Sequence, residues 1–351
     1  MSGGVDSTAA AALLLDAGYS VEGATMQIWQ DEDDLCSGTG CCSLSAVDDA
    51  RLACLQLNIK YHVFNFKDAF SENIIKPFIK EYQNGRTPNP CIVCNKILKF
   101  EMFLNRALNL GFDYIATGHY GRVVKEENGE YALHVSKTAE KDQSYALYNL
   151  TQEQLKHLLL PVGEYTKPQI REYAEQRKLP VFDKPDSQEI CFVKDNDYAG
   201  FIEKNTADKP KKGNFIDKNG NILGTHKGII HYTVGQRKGL GGGFSKPMFV
   251  IKVDKNKNEV VIGGNEETFT NTIYANEINI INGEIIPDKF ICTAKIRYSA
   301  PKQKAEVINI NERIQINFEK PVRAATPGQS VVLYDGDKVI GGGVIQLTID
   351  N

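Results

Sequence analysis

The chain has 351 residues, 42% hydrophobic and 24% charged, with a formal net charge of -3. That is an ordinary soluble globular composition with room for two or three domains, and the mildly acidic balance excludes a protein that coats nucleic acid indiscriminately. No apolar run of about 18 residues and no signal-like N-terminus occurs, so a cytoplasmic protein with no membrane association is expected. Eight cysteines (Cys36, Cys41, Cys42, Cys54, Cys91, Cys94, Cys191 and Cys292) in a chain this long do not form the pattern of a disulfide-stapled secreted domain.

From the start to about residue 200, short apolar runs alternate with helix-length amphipathic segments, the pattern of an α/β domain with a parallel sheet. Ser7 to Asp16, rich in Ala and Leu and followed by Gly18, reads as a helix. Val21 to Met26, Tyr61 to Phe64 and Tyr114 to Thr117 read as strands. Thr151 to Gln154 and Thr166 to Gln169 carry the spacing of capping boxes and should open helices. Beyond the basic linker Lys209 to Gly213, a small middle domain is expected over 203–267, with four glycines in the five positions Gly239 to Gly243. After residue 270 the period becomes two, as in Ile314, Ile316 and Phe318 alternating with Gln315 and Asn317. Turn signals at Asp335-Gly336 and Gly341 to Gly343 complete the reading of a barrel or sandwich. In Ile291 to Tyr298, Thr293, Lys295 and Arg297 fall on one strand face, which suits either phosphate contact or a solvated surface.

Three local patterns carry chemistry. Ser2-Gly3-Gly4-Val5-Asp6-Ser7 runs directly into the first helix, where glycines permit close backbone approach and the helix N-terminus offers unpaired N–H groups to a polyphosphate. A Walker-type lysine is absent from it. Thr87-Pro88-Asn89-Pro90-Cys91-Ile92-Val93-Cys94 places two cysteines three apart after a pair of prolines. Cys94 is expected to begin a helix there, its thiol made more ionisable by the helix N-terminus and by Lys96 and Lys99; a zinc half-site or a redox pair remains open as a reading of the same spacing. Cys191, in Asp186 to Phe192, lies on a loop after Pro180 and Pro185.

The loop at Ser2 to Ser7 resembles the SGGxDS signature of the PP-loop ATP pyrophosphatases. Taken in order with the TPNPxxxCN segment, Ala116 to Tyr120, Lys141 to Tyr145, Ile190 to Phe192, His231 to Leu240, Ile296 to Tyr298 and Thr326 to Gln329, it makes nearly the whole chain similar to the tRNA-specific 2-thiouridylase family. The implied organisation is a parallel-sheet PP-loop domain of the adenine nucleotide alpha hydrolase-like class over 1–202, the middle domain over 203–267, and a C-terminal β-barrel that contacts tRNA over 268–351. In that family the loop follows a buried strand that this sequence lacks; a truncated reading frame is the expected reason.

Carried over residue by residue, the resemblance assigns Ser2, Gly3, Gly4, Val5, Asp6, Ser7, Met26 and Gly118 to ATP. It assigns Asn89, Pro90, Cys91, His119, Lys141, Asp142, Gln143, Arg297, Tyr298 and Gln329 to tRNA. Cys94 would be the nucleophile and Cys191 the persulfide bearer, with a Cys94 to Cys191 disulfide left after turnover. ATP and Mg²⁺ are the expected cofactors, Asp6 standing near the metal and the phosphates. A cysteine desulfurase or sulfur-relay protein is the expected donor. Because Cys91 stands where some members carry an acid, Cys91, Cys94 and Cys191 are also candidate ligands of an iron–sulfur cluster. A small-molecule PP-loop ligase or amidotransferase is the alternative activity. No role is assigned to Cys36, Cys41 and Cys42.

Overall fold

The computed structural model describes residues 1–28, 44–184, 190–241, 243–244 and 246–346. Cys36, Cys41 and Cys42 therefore lie outside the described residues, as do Asp186 to Glu189.

The first helix, α1 (Val5–Asp16), begins two residues earlier than its pattern suggests, directly on Gly4. Its Ala-rich surface is buried along most of its length, and it packs with Ile170 and Ala174 of the helix Lys167–Gln176 and with Tyr120 and Val162. Small side chains let the two helices come close, while Asp6 and Ser7 at the start of α1 face the cleft. Strands β1 (Gly23–Gln27) and β2 (Tyr61–Asn65) pair in parallel, Gly23 opposite Tyr61, with the helix Leu44–Gln56 between them in sequence. Strand β3 (Ile115–Ala116) pairs in parallel with β6 (Leu158–Leu159) in a second small sheet. Both pairings are parallel, as expected of the α/β region, and residues of β1 and β3 line one cleft.

Both capping boxes form: Thr151 caps Gln152–Lys156 and Thr166 caps Lys167–Gln176, each with its reciprocal glutamine bond. The hairpin of β4 (Gly121–Lys125) and β5 (Tyr131–Val135) was not legible as such. It leaves the α/β region and joins the C-terminal sheet through His134 opposite Lys338.

The middle region is a four-stranded sheet, order β8-β7-β10-β9, built from β7 (Gly213–Ile216), β8 (Ile222–His226), β9 (Phe249–Asp254) and β10 (Glu259–Gly263). Phe215, Tyr232, Val250 and Val260 fill its core. The C-terminal strands are β11 (Phe269–Ile280), β12 (Lys289–Lys295), β13 (Gln303–Ile310), β14 (Arg313–Arg323), β15 (Ser330–Asp335) and β16 (Lys338–Gln346). They close into a six-stranded antiparallel barrel because β11 pairs with both β14 and β16. Ile314, Ile316 and Phe318 point inward as their period-two spacing demands. The barrel is welded to the first region by a shared core in which Tyr145, Tyr148 and Leu150 pack on Val332, Tyr334 and Val339. The Tyr145 hydroxyl donates to the Ser330 carbonyl at 2.8 Å, and Asn279 Nδ2 donates to the Tyr148 carbonyl at 2.8 Å.

Candidate active site

A cleft of about 1510 Å³ opens between the two small sheets. Met1 to Ser7 and Met26 form one wall; Asn89, Cys91, Thr117 to Tyr120, Lys141, Gln143 and Tyr298 form others. It therefore gathers most of the sequence-assigned ATP and tRNA residues around one space.

Gly3 has φ of +66° and lies so close to the helix Leu44–Gln56 that a Cβ on it would meet the Ala46 carbonyl oxygen at 2.4 Å. Ser2 N–H donates to Ser7 Oγ at 3.1 Å, and Thr8 Oγ1 donates to the Gly4 carbonyl at 3.0 Å, so side chains fold the loop onto its own helix. The result is a tight turn whose N–H groups sit at the positive end of a 12-residue helix. Gly118 closes the other side: a Cβ there would stand 2.6 Å from the Asp6 carbonyl carbon and 2.7 Å from Ser7 N. Gln143 holds that second turn, its backbone N–H donating to the Tyr120 carbonyl at 2.7 Å and its Oε1 accepting from Tyr120 N–H at 2.9 Å.

The charges around the loop come from far away in sequence. Lys167 Nζ donates to both Asp6 carboxylate oxygens at 2.7 and 2.8 Å, and the Tyr120 hydroxyl donates to Oδ1 at 2.8 Å. Asp6 is thereby engaged by a buried lysine and a tyrosine hydroxyl. Lys184 lines the cleft, its Nζ 3.0 Å from the Gly3 carbonyl and 2.6 Å from Asp49 Oδ2. These two lysines are the cations that the loop's own sequence lacks. Nothing local marked them; only the chain's return to the loop does.

The cysteine segment departs from its expected form. The helix begins at Pro90, capped by Asn89, whose Oδ1 accepts from Ile92 N–H at 3.4 Å. Cys91 is therefore the residue in the first turn and Cys94 lies a turn further in, where Pro90–Cys94 passes into the π-helical stretch Asn95–Phe103. Cys91 is exposed to the cleft and Cys94 is buried, three residues on along one face. Cys191 is exposed, but its neighbours are anchored: Ile190, Phe192 and Val193 pack in the same apolar cluster as Cys94. Phe192 sets its ring edge-on to Phe70 at 5.6 Å and to Phe78 at 5.1 Å. The two cysteines assigned to sulfur chemistry, nearly a hundred residues apart in sequence, are thus carried by one packed unit.

Of the positions assigned to RNA, His119 lies in the cleft wall with Nδ1 2.8 Å from Thr117 Oγ1. Burial, and then the neighbouring Lys99 charge, hold its imidazole well below the ordinary histidine pKa, so it is neutral at pH 7. Tyr298 is exposed at the cleft edge beneath Lys295, whose Nζ lies 5.4 Å from its ring centre; burial lowers the pKa of that lysine. Arg297 follows β12, with its Nε buried. Two assignments fit less directly. Asp142 is buried, and its carboxylate accepts from Ser136 N–H at 3.0 Å, Ser144 N–H at 3.2 Å and Ser144 Oγ at 2.8 Å, the office of a loop organiser. Gln329 Nε2 donates to the Thr87 and Pro88 carbonyls at 2.9 and 3.2 Å.

Among the described residues no three His, Cys, Asp or Glu side chains are grouped to hold a metal ion. Cys91, Cys94 and Cys191 do not stand as a ready three-thiolate set for an iron–sulfur cluster, and Asp6 is engaged by Lys167.

Residues 1–195 match the family described as tRNA methyl transferase HUP domain, residues 199–264 its PRC-barrel domain, and residues 270–345 the aminomethyltransferase beta-barrel domain. The tRNA-specific 2-thiouridylase MnmA of Lachnoclostridium phytofermentans is 56% identical over 348 residues, 98% of this chain and 98% of that protein. Its counterparts in Acetivibrio thermocellus and Clostridioides difficile are 55% and 51% identical, each over 351 residues covering 99% of this chain and 98% and 97% of those proteins. The chain belongs to the tRNA-specific 2-thiouridylase family. Membership also bears out the α/β, middle and barrel architecture. Among the described residues no helix is long and apolar enough to cross a membrane.

Proposed function

We propose that this chain is an ATP-dependent tRNA-uridine 2-sulfurtransferase acting in the cytoplasm, converting the wobble uridine to 2-thiouridine. The observation that carries the reading is the shared cleft: the helix-capping phosphate loop and the Asn89–Cys91 turn face one space. A loop uridine can leave its stack at small cost and reach such a cleft, whereas a paired base cannot do so as cheaply.

The uracil C2 oxygen is a poor leaving group and has to be activated. It attacks the α-phosphorus of ATP; the bond to the bridging oxygen breaks, and pyrophosphate leaves. The N–H groups opening α1, with Lys184 beside Gly3, stabilise the charge that collects on the departing group. Gly118 permits the second turn to lie against the loop, and Gln143 fixes it. Mg²⁺, which ATP brings with it, would further neutralise phosphate charge.

Cys191 thiolate attacks the outer sulfur of a persulfide on a cysteine desulfurase or relay protein; the donor's sulfur–sulfur bond breaks, the donor thiolate leaves, and the exposure of Cys191 suits that hand-over. The terminal sulfur of the Cys191 persulfide attacks C2, and AMP departs with the activated oxygen. Cys94 thiolate then attacks the Cys191 sulfur; the sulfur–sulfur bond breaks, 2-thiouridine is released, and a Cys94–Cys191 disulfide forms. A dithiol reductant returns both cysteines to thiols. Neutral His119, and Tyr298 with Lys295 over its ring, would contact the base and its flanking phosphates.

The test is mass spectrometry of tRNA nucleosides after incubation with ATP, Mg²⁺ and a sulfur donor. 2-Thiouridine should appear with the native chain and be lost in Cys191→Ser, which should still release pyrophosphate in the presence of tRNA. Full thiolation by Cys191→Ser would remove the persulfide step.

A further inference from the structure

The stretch that leads into the cysteine helix is poor in its own means of support. Pro88 and Pro90 have no N–H, so the backbone of 87–90 has few donors and cannot be held in a strand ladder. It is held from outside, by both other domains. From the barrel, Gln329 Nε2 bridges the carbonyls of Thr87 and Pro88 at 2.9 and 3.2 Å, and the Pro327 carbonyl accepts from Thr87 N–H at 2.9 Å. Gly328, with φ of +91°, lets that turn close onto the segment: a Cβ there would stand 3.0 Å from the Thr87 carbonyl oxygen. Arg86 is fixed by Glu81 of its own domain at 2.7 Å and, from the barrel, by Gln346 at the end of β16 at 2.5 Å. From the middle domain, Thr233 meets Thr87, hydroxyl to hydroxyl, at 3.2 Å.

The Gln329 turn is itself rigid. Gln329 N–H donates to the Thr326 carbonyl at 3.1 Å, and Ile345 N–H donates to the Gln329 carbonyl at 2.8 Å. An amide on so fixed a base sets the position of whatever it grips, and what it grips lies one and two residues before the cap of the helix that bears Cys91 and Cys94.

We infer that Gln329 is a positioning residue of the sulfur-transfer site: projected from the barrel, its amide fixes the Thr87 and Pro88 carbonyls and so sets where Asn89 to Cys94 meets the substrate base. The inference rests on the sulfurtransferase reading for its kinetic consequence, but not for its structural one. It gives the barrel a part in placing the chemistry.

The experiment compares the full chain with Gln329→Ala and with the near-isosteric Gln329→Glu, which turns a carboxylate toward two carbonyl oxygens. Thiolation should show kcat lowered about 10- to 100-fold, the scale of a misplaced reacting group, with KM and Kd for tRNA within about two-fold. A rise of about ten-fold in tRNA KM or Kd at unchanged kcat would make Gln329 an RNA contact and overturn the inference. A readout independent of activity is alkylation by iodoacetamide, followed at each cysteine by peptide mass spectrometry. Cys94, 8% exposed, should react about ten-fold faster in the variants as its segment loosens, while Cys292, 6% exposed inside the barrel, keeps its native rate. Acceleration of both together would mean general unfolding, and of neither would mean no brace; either result sinks the inference. If alkylation changes as expected while the native chain yields no 2-thiouridine, the sulfurtransferase reading fails and the brace stands.

Discussion

The Ser2 to Ser7 loop and the cysteine segment sit in the walls of one cleft yet are built in opposite ways. The turn of the loop is set by its neighbours in sequence, namely a left-handed Gly3, serine hydroxyls folded back on the backbone and a helix that starts at once, although Gly118, Lys167 and Lys184 close on it from afar. The cysteine segment is made by distant residues, since its prolines forgo backbone donors and the barrel, the middle domain and Phe192 supply what is missing. A locally built site tolerates change elsewhere and fails when its own glycines are altered. A remotely built site is exposed to substitutions far outside its motif.

The sharpest way to break this contrast is at Gly118, a remote residue on which the local loop does depend. Gly118→Ala places a Cβ about where the Asp6 backbone already lies, at 2.6 Å, and backbone at both ends cannot step aside as a flexible side chain would. We expect tRNA-dependent pyrophosphate release to fall about 100-fold or more, with destabilisation of about 1–3 kcal/mol. Near-native pyrophosphate release in a radiolabelled ATP assay would show that the two turns need not touch.

Phe192→Ala addresses the other half. Phe192 is 5% exposed and wedged among Phe70, Phe78 and Phe201, so its truncation should cost about 3–5 kcal/mol if the whole cluster collapses with it. If the loss is confined to the 190–193 turn, thermal unfolding changes less, and thiolation drops about 10- to 100-fold while pyrophosphate release persists. Equal losses in both activities would mean that the cluster supports the entire cleft and not the thiols alone.

A smaller effect is expected at Lys184. Its partners, the Gly3 carbonyl and Asp49, keep it beside the loop without burying it, so Lys184→Gln should raise KM for ATP about ten-fold and leave tRNA affinity unchanged. Unaltered ATP kinetics would confine Lys184 to bracing Gly3.

These contrasts explain what the sequence disclosed. The loop, the two capping boxes and the period-two barrel strands rest on spacing within a few residues, and each forms as its spacing demands. The closed barrel, the α/β class and the family were legible for the same reason, since local motifs in a fixed order carry them. What could not be read is whatever depends on the chain returning. The pairing of Asp6 with Lys167 spans 161 positions, and that of Gln329 with Thr87 spans 242. The hairpin of β4 and β5 could not be assigned to the barrel, because its partner Lys338 lies two hundred residues on. The placement of Cys94 failed for a different, local reason: with Asn89 as cap and Pro90 suited to the first helical position, the helix starts one turn sooner than the cysteine spacing suggests.

The mildest effect belongs to His119, whose ring bridges the two styles, leaning on Phe100 of the cysteine helix at 5.8 Å while standing in the turn that covers the loop. Its folded pKa lies well below the ordinary 6.5 because burial, and then Lys99, disfavour the imidazolium. Above pH 6.5 neither state binds the proton and His119 leaves stability unchanged. As the pH falls from 6.5 toward the folded value, the unfolded chain takes up a proton that the native protein refuses, so stability is lost at up to about 1.4 kcal/mol per pH unit for a group fully shielded. The ring reaches the cleft wall and solvent relieves part of this, which reduces the expected loss to about 1 kcal/mol between pH 7 and 5.5. His226 and His231, also pushed down by burial, add acid sensitivity of their own, so the measurement has to be a difference. Urea unfolding of the native chain and of His119→Gln at both pH values isolates it: the variant should lose less stability on acidification. Identical losses would mean that the imidazole is open to water in solution and that the two turns close less tightly around it.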